Sequence, residues 1–289
     1  MNVRRRLIPY GLLGPGAIWL ILFFVVPMYF MGELALRSGT FNEGFTFTWE
    51  WANFPDALDE RGEQILRTFI YSGVATLLAL LIAYPLAYAI AVRASPRWKL
   101  LLLFAVIAPF FTTYLIRTIA WKTILADSSP LVDVLQFLSL VPDDGRVLAT
   151  SGAVIAGLTY TFLPFMILPL YASLERLDQS LIEAAKDLYA SASTAFRKVT
   201  LPLTAPGIVA GVLLTFIPAF GDYVNAQLLG SPNQFMIGNR IQTLYLSDRN
   251  YPEAAALSFL MMAAILVIVL LYIRAAGTEA FMGEEEEER

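Results

Sequence analysis

The sequence predicts an all-α membrane protein with six transmembrane helices, and three observations carry that expectation. Hydrophobic residues make up 57% of the 289 positions and charged residues only 15%, where a soluble domain has about 25% charged. Mean hydropathy is +0.63. Six stretches free of charge approach the ~20 apolar residues that a spanning helix needs. A disordered chain is excluded and an ordinary soluble enzyme is strongly disfavoured. The net charge of −4 has the wrong sign for nucleic-acid binding.

The charge-free stretches are 7–32, 68–92, 100–116, 147–174, 199–221 and 254–273. The first follows Arg4, Arg5 and Arg6 and is longer than the ~7–15 residues of a signal-peptide core, so it reads as a retained signal anchor. The third is short, but 118–120 continues it past Arg117, and Trp121 suits an interface. The fifth contains Pro202 and Pro206; its helix is expected to begin near Pro206 and to run through Asp222 toward Leu229, since proline is tolerated in a first turn.

Basic residues orient the spans, because short cytoplasmic loops are enriched in Lys and Arg. With the amino terminus inside, the first inner loop holds Arg93, Arg97 and Lys99 without an acid, and the second holds Arg176, Lys186, Arg197 and Lys198. The first outer loop, 33–67, carries seven acids against three arginines, and the Trp49/Trp51 pair and Pro55 suggest partial order there. An even number of spans returns the carboxyl terminus to the cytoplasm, where 275–289 reads as a solvated acidic tail. The division expected is a helix at 1–32, an outer loop at 33–67, a five-helix core at 68–274 and the tail. No repeat of 20–50 residues is visible, and everything outside the bilayer is expected to be loop or short helix.

Histidine and cysteine are both absent, which removes Cys/His zinc sites, thiol nucleophiles and Ser–His–Asp triads. No metal and no cofactor is expected. A phosphate-cradling loop would need Gly-x-x-x-x-Gly-Lys-Ser/Thr, but none of Lys99, Lys122, Lys186 and Lys198 follows a glycine. Any ATP hydrolysis therefore belongs to a partner chain, and the chain is not expected to be an enzyme.

The segment 175–205 is the most informative. Leu177, Leu181, Ala184, Ala185 and Leu188 recur at helical spacing; Asp178 or Ser180 could cap the start, and Glu183 stands three residues beyond Ser180, as a capping box requires. A second short helix is expected over 193–199, ended by Pro202. An interfacial helix would be richer in Lys, Arg and large aromatics; this Ala/Leu face with balanced charges favours docking against a protein surface.

Glu183-Ala184-Ala185 followed by Val199-x-Leu201-Pro202 resembles the EAA loop of bacterial ABC importer permeases: EAA, three residues, Gly, nine residues, Ile or Val, one residue, Leu-Pro. Tyr189 stands at the glycine position, which implies a different turn or a bulkier contact. Pro109, Arg117, Trp121, Tyr160, Pro164-Phe165, Pro169-Leu170, Pro206-Gly207-Ile208, 218–223, Leu229-Gly230 and 236–239 extend the likeness to spermidine/putrescine transporter permeases over most of 65–265. The resemblance implies a type I importer permease fold in the bacterial inner membrane. It also implies a second permease that completes the path, an ATPase dimer gripping a cytoplasmic coupling helix (Glu183, Ala184, Ala185, Asp187, Leu188, Tyr189), and an extracytoplasmic substrate-binding protein.

The candidate substrate path comprises Asp222, Tyr223, Asn225, Tyr160 and Trp121. A buried carboxylate needs a partner. Asp222 reads either as a relay for polyamine ammonium groups, which carboxylates and aromatic faces attract, or as a helix-end carboxylate near the outer interface or paired with Arg117. Tyr160 and Trp121 read as aromatic walls or as ordinary core and belt residues. Arg117 and Lys122 either snorkel toward outer headgroups or neutralise acids such as Asp127. The acidic outer loop either attracts a cationic ligand or a binding protein's basic rim, or is a plain translocated loop. A permease for ferric ion or sulfate is the alternative within the class. A cation-coupled secondary transporter is the alternative outside it, although it usually places several ionisable groups at mid-membrane.

Overall fold

The computed structural model describes residues 13–139, 141 and 145–276; Arg4, Arg5, Arg6, residues 7–12 of the first span and the acidic tail 284–288 lie outside the described residues. The described chain is helical with one two-stranded hairpin. In order it comprises α1 (Leu13–Ala35), β1 (Arg37–Thr40), β2 (Gly44–Phe47), α2 (Asn53–Arg93), α3 (Pro96–Phe111), α4 (Tyr114–Ile124), α5 (Pro130–Phe137), α6 (Ser151–Glu175), α7 (Gln179–Asp187), α8 (Ala192–Leu203), α9 (Ala205–Phe220), α10 (Val224–Leu229), α11 (Ile237–Leu246) and α12 (Tyr251–Ala276). Four of these (α1, α2, α6, α12) are long and apolar enough to cross a membrane unaided, and the count reaches six when α3 with α4 and α8 with α9 each make one bent span.

The third stretch is not one straight helix. Pro109 cannot donate to the ladder and its ring clashes with the preceding turn. The chain tightens into a 3₁₀ turn at Ala108–Phe111, extends at Thr112 and Thr113, and resumes as α4 at 97° to α3. In the fifth, α8 carries Pro202 inside its last turn and ends at Leu203, rather than stopping before the proline as expected. Thr204 then bends the chain by 64° into α9, whose first turn holds Pro206. Thr204 is fully buried, and its hydroxyl meets the Tyr84 hydroxyl from α2 at 2.8 Å.

A second correction concerns the far end of that span. The helix does not continue through Asp222. It stops at Phe220, and a separate short helix, α10, begins at Val224. The Asp222 carboxylate accepts the Asn225 amide at 2.8 Å, which satisfies a donor at the start of α10 and fixes the interruption locally.

The 33–67 segment is also more ordered than a loop. α2 begins at Asn53, so its second half is helix. Its first half is the antiparallel hairpin pairing Arg37 with Phe47 and Thr40 with Gly44. Gly39 has φ +117°, and a side chain there would meet the Gly44 carbonyl at 2.2 Å, so this turn requires glycine. Trp49 and Trp51 stack at 6.2 Å just after it.

The chain divides into two compact units. One takes residues 13–62 with 240–264; Ala35, Ala255 and Ala256 form its core beside Phe54 and Phe259, and Arg61 pairs with Glu253 at 3.2 Å. The other takes 63–239 with 265–276 and centres on α6, in which 61% of the most apolar stretch is buried. Its core joins Ala79, Ala83 and Ala87 of α2 to Met166, Ile167 and Leu170 of α6. α6 also meets α9, and does so through glycines. A Cβ at Gly207 would come within 2.5 Å of Ser173 Cβ, and one at Gly211 within 2.8 Å of Met166 Sδ. This Gly-x-x-x-Gly contact is how helices approach closely in lipid. By contrast, α1 leaves Trp19, Phe23, Phe24 and Phe30 more than half exposed, a surface that only a hydrocarbon solvent or another membrane helix would cover.

Candidate functional site

The polar centre of the larger unit lies where two helix interruptions meet. Tyr114 opens α4 immediately after the first break, and Asp222 sits inside the second. The Tyr114 hydroxyl donates to Asp222 Oδ2 and accepts from Asn225 Nδ2 at 2.8 Å. Asp222 Oδ1 is taken by the Asn225 amide. Asp222 is 7% exposed and Asn225 1%, so all three groups are matched donor to acceptor in an interior where an unpaired carboxylate would be costly. Asn225 Oδ1 alone is left without a partner, facing Gly157 of α6, where an added Cβ would lie 2.8 Å from that oxygen and 2.3 Å from Leu229.

The structure thus brings together Asp222 and Asn225 among the expected path residues, and adds Tyr114, which the sequence did not single out. The signal was present, since Tyr114, Arg117 and Trp121 fall at i, i+3 and i+7 and share one face of α4. Trp121 and Tyr160 form a second pair, with ring centroids 5.3 Å apart. Tyr223 is 39% exposed, and its carbonyl is held by Asn239 Nδ2 at 2.7 Å. Arg117 does not pair with Asp222; its guanidinium lies 5.0 Å from the centre of the Phe110 ring, across the α3–α4 break. Asp127 is paired with Arg146 at 3.4 Å, not with Arg117 or Lys122.

The second candidate region is the α7–α8 hairpin. Asp178, not Ser180, is the cap of α7; it accepts the Ser180 amide at 2.9 Å, and that bond holds the Asp178 carboxyl below the usual carboxylate range. α7 ends in a Schellman motif, with the Ala190 amide donating to the Ala185 carbonyl at 3.0 Å and the Tyr189 amide to that of Lys186 at 2.9 Å. The residue after the cap must then be left-handed, and Tyr189 has φ +57°. Of the two alternatives that Tyr189 left open, a different turn or a bulkier contact, the first does not hold, since the turn is the one glycine would make. Only Ile182 of this helix is buried. Glu183, Ala184 and Asp187 are exposed, Ala185 is half-buried, Leu188 is 82% exposed and Tyr189 98%. Ser191 caps α8, accepting the Thr194 amide at 3.2 Å.

Residues 83–277, which hold the bent α8–α9 pair and this hairpin, match the model of the binding-protein-dependent transport system inner membrane component. The chain belongs to that family. It is thus a member of a family of transport subunits of the inner membrane. The chain is 36% identical over 258 residues to the spermidine/putrescine transport system permease protein PotB of Haemophilus influenzae, covering 89% of this chain and 90% of that one. It is 36% identical over 261 residues to PotB of Escherichia coli, covering 89% and 94%, and 35% identical over 224 residues to the inner membrane ABC transporter permease protein YdcU of Escherichia coli, covering 74% and 71%. Among solved structures it is similar to a chain of a bacterial ABC transporter involved in alginate import (TM-score 0.69, 21% identity, 95% and 96% covered). It is also similar to a chain of the inward-facing MetNI methionine ABC transporter (TM-score 0.53, 17% identity, 77% and 95% covered). These likenesses show the fold of an ABC importer permease.

Proposed function

We propose that the chain is the permease subunit of an ATP-driven polyamine importer of the type I class. The near full-length likeness to permeases named for spermidine and putrescine carries this reading. Six spans result when each bent helix pair counts as one. Both termini then face the cytoplasm, as the basic inner loops favour. The core is 68–274, with the first span outside it.

In this arrangement the α7–α8 hairpin is the cytoplasmic coupling helix. Its exposed Leu188 and Tyr189 offer an ATPase dimer an apolar grip, and hydrolysis in that partner moves the hairpin and the spans attached to it as rigid bodies. A second permease completes the path and an extracytoplasmic binding protein delivers the ligand. Within this chain Asp222 supplies negative charge to a polyamine, with Tyr114, Asn225 and Tyr223 around it. The two breaks support this placement, because non-helical backbone at membrane depth is tolerated where it is enclosed by protein or lines a cavity.

The test uses the reconstituted assembly. ATPase activity is measured with the binding protein loaded in turn with spermidine, putrescine, ferric ion or sulfate. Stimulation by the polyamines alone is the expected result. Stimulation by ferric ion or sulfate alone would replace the substrate, and uptake that needs no ATPase partner but collapses with an ion gradient would replace the class.

A further inference from the structure

The corner between α8 and α9 is tied to α2 by one buried hydroxyl. Thr204 gives its only hydroxyl proton to the Thr200 carbonyl at 2.8 Å, a back-bond of the kind that bends helices. Its oxygen is then the acceptor for the Tyr84 hydroxyl at 2.8 Å, and both residues are buried. Tyr84 thus holds the residue at which the chain turns by 64°.

The ring of Tyr84 makes a second contact with α8. It meets Phe196 edge-on, with centroids 5.5 Å apart at 88°, and the Tyr88 ring lies 6.5 Å from the same phenylalanine. Between Phe196 and Thr204 the backbone of α8 widens into a π turn, Phe196–Thr200, and α2 carries another, Ala89–Arg93, directly after Tyr88. Such single π turns inside α-helices are frequent at functional sites. One side chain therefore touches α8 on both sides of its π turn, the ring at Phe196 and the hydroxyl at Thr204. On the near side of this contact α7 packs on α8. On the far side Ala79, Ala83 and Ala87 join α2 to α6, and α9 leads from the corner to the Asp222 break.

We propose that Tyr84 is the positioning residue through which movement of the α7–α8 hairpin reaches α2, so that α2 and the Thr204 corner travel as one body. This rests on the reading of the hairpin as the coupling element. With the hydroxyl bonded, a displacement of α8 carries the corner and α2 together. Without it, α8 tilts at its π turn while α2 stays behind, and ATP is hydrolysed with less movement of the path. Tyr71 supplies the control. Its hydroxyl meets Ser151 Oγ at 2.6 Å and also joins α2 to another helix, α6, from a buried position. It stands about 20 Å along α2 from Tyr84, at ~1.5 Å per residue, and touches no part of the hairpin.

The test uses the assembly in liposomes with its ATPase and binding protein, scored as spermidine taken up per ATP hydrolysed. Tyr84→Phe keeps the ring on Phe196 and removes the hydroxyl. It is expected to lower this ratio about fivefold or more, the low end of coupling between sites, while ATP hydrolysis continues. Thr204→Val should do the same, Thr204→Ser should keep the wild-type ratio, and the double variant Tyr84→Phe/Thr204→Val should be no worse than either single one. The Thr204 pair decides the matter if Tyr84→Phe does not assemble. Tyr71→Phe should lower the melting temperature about as much as Tyr84→Phe and leave the ratio unchanged. A wild-type ratio in Tyr84→Phe, or an equal fall in Tyr71→Phe, would overturn the proposal. Leu188→Asp, at the exposed tip of the hairpin, tells the two failures apart. ATPase binding and uptake untouched by Leu188→Asp would overturn the reading of the hairpin and this proposal with it. A ratio that falls in Leu188→Asp but not in Tyr84→Phe would overturn only the part given to Tyr84.

Discussion

The Tyr114 hydroxyl donates to the Asp222 carboxylate across two interruptions of the helical ladder, one after Pro109 and one after Phe220. Neither residue belongs to an unbroken span, and each is placed by the break that precedes it. A carboxylate that is 7% exposed is thus held by a residue more than a hundred positions away. Any motion that turns α4 about Thr112–Thr113 alters the cover of Asp222.

Asp222→Asn keeps the shape and removes the charge. Uptake of spermidine by the reconstituted assembly is expected to fall at least about tenfold, the effect of losing ~1.4 kcal/mol of charge attraction in the path, while the complex purifies intact by size exclusion. Uptake at the wild-type level would take Asp222 out of the path.

Tyr114→Phe is expected to behave differently. It keeps the ring but strips both Asp222 Oδ2 and Asn225 Nδ2 of their partner. Leaving buried groups unmatched costs ~1–3 kcal/mol, so the purified chain should unfold at a measurably lower temperature than Asp222→Asn. If the two variants melt alike, the hydroxyl is not what holds the break.

The glycines between α6 and α9 give a third expectation. Gly207→Leu and Gly211→Leu force atoms into Ser173, the Pro169 carbonyl and Met166, and overpacking of this kind costs ~1–3 kcal/mol. Both should lower thermal stability in detergent. Gly14→Leu, at a position with open space around it, should leave it unchanged.

Much of the fold was legible because hydropathy and charge act over whole spans. The stretches 68–92 and 254–273 each fall inside one continuous helix, and 147–174 does so from Ser151 onward. What escaped is local. A run of apolar residues does not reveal that Pro109 turns a span by 97° while Pro85 is absorbed within α2, since both prolines carry the same intrinsic defect and tertiary packing decides which becomes a bend. Asp222 and Asn225 could be named from their chemistry; for Tyr114 the sequence offered only the face it shares with Arg117 and Trp121, and its partner Asp222 lies in a distant segment. The hairpin at Arg37–Phe47 was hidden by an expectation of loop, although Gly39 and Gly44 flank its turn.

Tyr189 carries the last prediction. In the left-handed region a residue with a Cβ costs ~1–2 kcal/mol relative to glycine, and Tyr189 adopts it at φ +57°. No packing returns that cost, since the side chain is 98% exposed. Tyr189→Gly is therefore expected to stabilise the hairpin by ~1 kcal/mol and leave the Schellman bonds intact, read as slower hydrogen exchange at the Tyr189→Gly and Ala190 amides. If the ring earns its place by packing on the ATPase, the same variant should couple ATP hydrolysis to uptake less well, with fewer substrate molecules carried per ATP. A variant that is more stable and equally well coupled would show that the ring touches nothing that matters, and would leave Leu188 as the apolar contact at the tip.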